Sequence, residues 1–233
     1  MKLGIIGAMK VEVDSLKENM QNKSVATCAG MEFCQGELEG LEVVVVQCGV
    51  GKVNATMCAQ ILCVSYGVTH LVNTGIAGSL CNELDIGDLV VSRDAMHHDF
   101  DCVGFGYPYG KVPGMDVVAF PADAKMVEYA VSAAEAVNPG HCRVGRIATG
   151  DQFICDKAQK DAIIANTQAL CTEMEGAAIA QTAYRNGVPF VILRAISDKA
   201  DNSAEMDYPT FEAIAAERCA KVVQTLAKKL KNA

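Results

Sequence analysis

The sequence is short of positive charge: Lys and Arg together number 20 against 28 Asp and Glu, a formal net charge of -8. The basic residues are scattered rather than gathered on one segment, which argues against nucleic acid and anionic membrane as partners. Long apolar runs are missing too, none reaching the roughly 18 residues that a membrane-spanning helix requires. Met1 to Met9 passes straight into a short apolar segment without the charged region or the length of a secretory signal, so a cytoplasmic protein is expected. No CxxC spacing occurs among the 11 cysteines, an odd number, and most of them lie in apolar runs, as Cys58 and Cys63 do. They read as small core residues in a reducing compartment, not as a disulfide framework. Gly4-Ile5-Ile6-Gly7-Ala8 lacks the GxGxxG spacing of a dinucleotide fold, and His97-His98-Asp99 has no second ligand cluster to complete a metal site. Linkers, internal repeats and low-complexity stretches are also absent, so residues 1–233 read as one domain.

What is present is apolar material, 51% of the residues against 21% charged, enough for a large core. Strand-like and helix-like segments alternate, which argues for an α/β protein whose mixed or parallel sheet carries helices on its faces. The pattern predicts strands at Leu3 to Ala8, Thr69 to Asn73, Asp88 to Ala95, Arg143 to Thr149, Ala169 to Glu173 and Val188 to Ser197. Ser24 to Cys28, Met31 to Leu38 and Leu41 to Gln47 read as strands forming a hairpin pair beside the main sheet. Helices are predicted over Val11 to Met20, Lys52 to Tyr66, Asp123 to Val137, Lys157 to Ala165, Met174 to Asn186 and Thr210 to Lys229. A glycine-rich aromatic loop from Val103 to Gly114 is too long to be a mere connector.

Several charges fall where charge is costly. Helical spacing puts Glu12 with Met9, Val13, Leu16 and Met20 on the face that meets the core; alternatively it is a half-exposed helix-start glutamate. In the last apolar strand Arg194, Ile196 and Asp198 share a face, with the acid at the carboxyl end where open α/β sheets place ligand crevices. Arg194 needs an acidic or ligand partner, and a purely structural ion pair would also satisfy it. Of Glu173 and Glu175, one can cap the following helix while the other reaches a polyol, because a carboxylate accepts from two hydroxyls. Asn73-Thr74-Gly75-Ile76-Ala77-Gly78 would let backbone approach a ligand closely.

Together, Gly4-Ile5-Ile6-Gly7-Ala8-Met9 with Glu12, Asn73-Thr74-Gly75-Ile76-Ala77-Gly78, Phe105-Gly106-Tyr107, Glu173-Met174-Glu175 and Arg194-Ala195-Ile196-Ser197-Asp198 resemble the motif set of the 5'-methylthioadenosine/S-adenosylhomocysteine nucleosidases, in order and over essentially the whole chain. The resemblance implies a three-layer α/β/α fold of the nucleoside phosphorylase type with a mixed central sheet, a homodimer, and no cofactor or metal. It implies hydrolysis of the N-glycosidic bond of 5'-methylthioadenosine and S-adenosylhomocysteine, and of 5'-deoxyadenosine, in methionine salvage and the recycling of S-adenosylmethionine by-products. Carried over by position, Glu12 would activate water, Asp198 would protonate N7 of adenine, and Glu175 would hold the ribose hydroxyls. Phe153 would stack on the purine, the Ile154 backbone would read its edge, and Met174 and Arg194 would line the ribose and water side. Met9, Val50 and Phe211 would form apolar walls, with Ile76, Ala77, Gly78 and Ser197 in the same pocket. Phe105, Tyr107 and Pro113 would cover the 5' substituent of the neighbouring subunit. One departure from the family pattern is Ile76, where many members carry a serine that helps hold the water; here the water would rely on Glu12 and Arg194.

The chemistry suits these residues. Cleavage builds positive charge on the sugar and negative charge on the base, so an acid is needed beside one and carboxylates beside the other. For Asp198 to donate a proton its pKa must rise, so Arg194 is expected to face Glu12 or the water and not Asp198. Two rivals remain: a purine nucleoside phosphorylase, which would need arginine-type donors that only six arginines and an Arg-free Gly7-Ala8-Met9 turn hardly supply, and a non-catalytic nucleoside-binding module.

Overall fold

A computed structural model describes residues 1–201 and 204–232 of the chain. Strands β1 (Lys2–Gly7), β2 (Gln21–Cys28), β3 (Met31–Leu38), β4 (Leu41–Gln47), β5 (His70–Ser79), β6 (Leu89–His97), β7 (Phe120–Pro121), β8 (Cys142–Thr149), β9 (Cys171–Glu173) and β10 (Phe190–Asp198) form one mixed sheet. Helices α1 (Lys10–Asn19), α2 (Lys52–Ser65), α3 (Ala124–Val137), α4 (Lys157–Thr167), α5 (Gly176–Asn186) and α6 (Ala204–Lys231) cover it. The three-layer expectation holds, and among the described residues no helix is long and apolar enough to cross a membrane.

The central strands are apolar on both faces because both are covered. Leu3 and Ile5 of β1, Val43 and Val45 of β4, and Val191 and Leu193 of β10 pack with α1, α3 and α6. The residues of opposite parity, Ile6, Val44, Val46 and Ile192, pack with α2 and α5. One period-2 pattern thus feeds two cores.

The strand order is β10-β6-β8-β9-β5-β1-β4-β3-β2, and β10 pairs with β5 as well as β6, so five strands close on themselves while the rest fan out. Strands β2, β3 and β4 form the expected antiparallel hairpins at one edge of this sheet and join it through β1, with β4 parallel to β1 and Val43 to Val46 buried on both sides. Strand β5 extends to Ser79, past the expected end at Asn73; Asn73 and Thr74 are buried polar residues whose side chains bond Ile6 O and Cys219 Sγ, so their polarity does not end the strand. Helix α6 starts at Ala204, not Thr210. Pro209 reads as a helix-opening residue, yet here it lies inside the helix near its start.

Ile5 is fully buried at the centre of β1. Ile5→Ala should lower the unfolding free energy by roughly 2–5 kcal/mol in urea denaturation at unchanged m-value.

Candidate active site

Strands β1, β5, β8, β9 and β10 end close together, and residues at and after their ends help enclose one cavity of about 360 Å³. Its walls include Met9, Val50, Ile76, Ala77, Gly78, Phe153, Ile154, Met174, Glu175, Ser197 and Asp198, drawn from six separate stretches of chain. Ala8, Gln152, Thr172, Glu173 and Tyr208 complete it, and the sequence reading had not placed any of these five there.

Glu12 lies directly behind this lining, 4% exposed, so it is not the half-exposed helix-start residue that the sequence left open. As third residue of α1 it turns back and accepts from the amides of Ala8 (2.7 Å) and Met9 (3.0 Å), closing the helix start. Its other oxygen accepts from the Ile76 amide at 3.2 Å, which ties α1 to β5. Burial pushes its pKa up against the pull of Arg194 and of these amides. Gly75 is what lets the groups meet: a Cβ there would stand 2.5 Å from Glu12 Oε1 and 3.0 Å from Arg194 Nη1.

Arg194 does not line the cavity. It is 2% exposed, and its Nη2 donates to Glu173 Oε2 and Asn73 Oδ1. The ion pair is with Glu173, and no bond joins Arg194 to Asp198, the arrangement that would have opposed an acid role for Asp198. Glu173 also accepts from Thr149 Oγ1 and from the amides of Glu175 (3.1 Å) and Gly176 (2.7 Å), so it caps α5. The Arg194 guanidinium and these hydrogen bonds hold the Glu173 carboxyl below the usual range despite its burial.

With the cap supplied by Glu173, the Glu175 carboxylate is free to face the cavity. It accepts from the amide of Gly51 (2.7 Å), whose φ of +98° favours glycine. Burial, and then the negative charge of Glu173, push the Glu175 pKa up to about 8. Asp198 accepts from Ser197 Oγ and the Ala200 amide, each at 2.8 Å, and burial raises its pKa above the ordinary aspartate value.

The loop carrying Phe153 is fastened by Asp151: its amide donates to Asp99, and its carboxylate accepts from the Lys52 amide at the start of α2. Lys52 Nζ pairs with Asp99 at 2.6 Å, so Asp99 belongs to this fastening while His97 bonds Gln181, and among the described residues no cluster suited to a metal occurs.

Phe211 does not belong to the cavity. It sits in a second depression with Ile86, Lys199 and Ile214, and the wall assigned to it is formed by Tyr208, one turn earlier on α6. Tyr208 packs edge-on to Phe153 at 5.6 Å, and its hydroxyl can donate its one proton to either Met9 Sδ or Glu212. A helix begun at Thr210 leaves Tyr208 in a loop; begun at Ala204, it puts the ring over the cavity. Phe105, 86% exposed, Tyr107 and Pro113 lie on the outside of this chain, away from its own cavity.

Residues 2–228 match the model of the phosphorylase superfamily. The 5'-methylthioadenosine/S-adenosylhomocysteine nucleosidase of Shewanella halifaxensis is 43% identical over 232 residues, 99% of this chain and 100% of that protein. Among solved structures, the S-adenosylhomocysteine nucleosidase of Streptococcus pyogenes, in complex with 5-methylthiotubericidin, superposes with a TM-score of 0.95 at 35% identity, covering 99% of this chain and 97% of that one. The 5'-methylthioadenosine/S-adenosylhomocysteine nucleosidase of Colwellia psychrerythraea, in complex with adenine, gives 0.93 at 36% identity, covering 99% and 96%.

Glu175 links the site to stability. Between the ordinary glutamate value of 4.5 and about 8, the folded chain keeps a proton that the unfolded chain has released, so this group's contribution to stability falls as pH rises through that window. Glu175→Gln should therefore be more stable than wild type at pH 8 by at least about 1 kcal/mol, the gap closing toward the acid end. Thermal unfolding midpoints measured across pH check this.

Proposed function

The chain belongs to the phosphorylase superfamily and, within it, to the 5'-methylthioadenosine/S-adenosylhomocysteine nucleosidases, and from that membership we propose how its residues divide the work. The enzyme hydrolyses the N-glycosidic bond of 5'-methylthioadenosine and S-adenosylhomocysteine, releasing adenine and the 5-substituted ribose. Water oxygen bonds to C1', the electrons of the C1'–N9 bond pass to adenine, and one proton must reach the base while another leaves the water.

Asp198 is the acid. Burial keeps its pKa raised, and the bonds from Ser197 and Ala200 fix the carboxyl against Gly78. Glu12 is the base, aimed by three backbone amides at the other end of the same stretch of β5, by Gly75. Three residues of strand, roughly 10 Å, separate the two approaches, room for a nucleoside with water beyond it. Glu175 accepts from the ribose hydroxyls beside Met174, Phe153 stacks on the purine, and the Ile154 backbone reads its edge. Met9, Val50 and Tyr208 wall the 5' substituent, which allows 5'-deoxyadenosine as a further substrate. Arg194 sets the charge beside Glu12 from behind the wall.

The observation that carries this reading is a buried Asp198 lining the cavity and a buried Glu12 just behind its wall, with the Arg194 beside Glu12 committed to Glu173. Phosphate would meet the carboxylates of Glu12, Glu173, Glu175 and Asp198 and the apolar wall of Ile76 and Ala77 with no free arginine to receive it, which favours water over phosphorolysis. A site that only bound nucleosides would need no acid poised against the base.

The whole chain, residues 1–233, acts as one nucleosidase domain in the cytoplasm, serving methionine salvage. It works as a homodimer. Exposed Phe105, Tyr107 and Val103, with Val53 and Met57 of α2, supply an apolar surface through which the 103–113 loop closes the partner's site.

Adenine release from 5'-methylthioadenosine should proceed in phosphate-free buffer and be unchanged by added phosphate. Asp198→Asn should cut turnover about 100 to 10,000-fold while adenine-analogue binding persists. Near-normal turnover would remove Asp198 from the acid role, and a requirement for phosphate would make the enzyme a phosphorylase.

A further inference from the structure

Thr172 is the middle residue of β9, between the end of the closed strands and the Glu173-Met174-Glu175 turn. It lines the cavity, is only 6% exposed, and its Oγ1 is fully buried without a hydrogen-bond partner among the described residues. A buried hydroxyl left unpaired is destabilising, and β-branched valine would fill the same strand position without that cost. The neighbouring polar groups are taken: Thr149 Oγ1 donates to Glu173, Ser197 Oγ donates to Asp198, and the Glu173 carboxylate is fully engaged. The unpaired hydroxyl is therefore available to a molecule in the cavity.

Its register says which part of that molecule. Thr172 stands opposite Gly78 on β5 and beside Ala148 on β8. Gly78 is the residue against which Asp198 Oδ1 rests, 2.8 Å from where a Cβ would be. The ribose-facing Glu175 lies three residues further along, across the start of α5. Thr172 thus belongs to the base end of the cavity.

We propose that Thr172 is a specificity-determining residue whose hydroxyl completes its hydrogen bonding on the purine base, a contact that rests on the nucleosidase reading above. One step about χ1 exchanges its methyl and hydroxyl positions, the movement by which the hydroxyl turns from the wall to the base. The bond persists from bound substrate to released adenine, so it contributes to binding in both and not to the chemical step.

The test is Thr172→Val, which removes the hydroxyl and keeps the shape. The Kd of adenine by titration calorimetry and the KM for 5'-methylthioadenosine should both rise about 5 to 30-fold, with kcat within about threefold of wild type. The thermal midpoint should hold or rise, since a buried unpaired hydroxyl has gone. Unchanged adenine affinity in the variant would overturn the proposal, as would a fall in kcat and thermal midpoint without a change in Kd, which would make Thr172 a packing residue. Thr172→Ser, which keeps the hydroxyl, should restore affinity to within about threefold of wild type, and failure to do so counts against the proposal. Wild-type protein that binds no adenine and releases none from 5'-methylthioadenosine would overturn the nucleosidase reading itself; adenine release by wild type with equal Kd in both proteins would overturn the Thr172 proposal alone.

Discussion

Arg194 cannot be removed from water without a counter-charge, and the chain meets that requirement with Glu173, 21 residues away in sequence and on another strand. The pair alone would be a poor source of stability, because desolvating two charges cancels much of their attraction. Here it is embedded in further bonds: Asn73 on β5 and Thr149 on β8 complete a set that begins with Glu173 on β9 and Arg194 on β10. One guanidinium and one carboxylate therefore fasten four strands of the closed part of the sheet at the point where the cavity opens. Glu173 also caps α5, so the same carboxylate sets both the barrel end and the helix that leaves it.

The rest of the site follows from how that single cation is spent. Four carboxylates, Glu12, Glu173, Glu175 and Asp198, gather around the cavity, and among the described residues only Glu173 owns an ion pair. The other three are left with backbone amides and one serine hydroxyl, and burial raises the proton affinity of each. Acid and base chemistry near neutral pH needs carboxyls of this kind. A better-neutralised cluster would be more stable and less able to move protons, the exchange of stability for function that active sites show generally.

Much of this was legible in the residues. Short apolar runs bounded by turns gave the strands, helical spacing put Glu12 on the core-facing side while leaving a half-exposed helix start open, and the Glu173-Met174-Glu175 turn allowed one acid to cap and the other to face a ligand. The pairing of Arg194 with Glu173 was not legible, because it depends on β9 and β10 being brought to one point by strands that lie between them in space and not in sequence. Tyr208 escaped for a local reason: a last helix read from Thr210 omits the preceding turn of α6. Thr172 escaped because a threonine in a strand is ordinary by sequence, and only the missing partner of its hydroxyl marks it.

The closure of the sheet through β10 has a consequence for how the protein comes into being. Its partners β5 and β6 are complete by residue 97, whereas β10 begins at Phe190. During synthesis, at roughly 5–20 residues per second, these two strands wait several seconds with unpaired edges before the closing strand arrives. Such edges are templates for pairing with other chains. Arg194 and Asp198 arrive on that same strand, so the nascent chain gains the counter-charge of Glu173 and the cavity's Asp198 in the same event that closes its exposed seam.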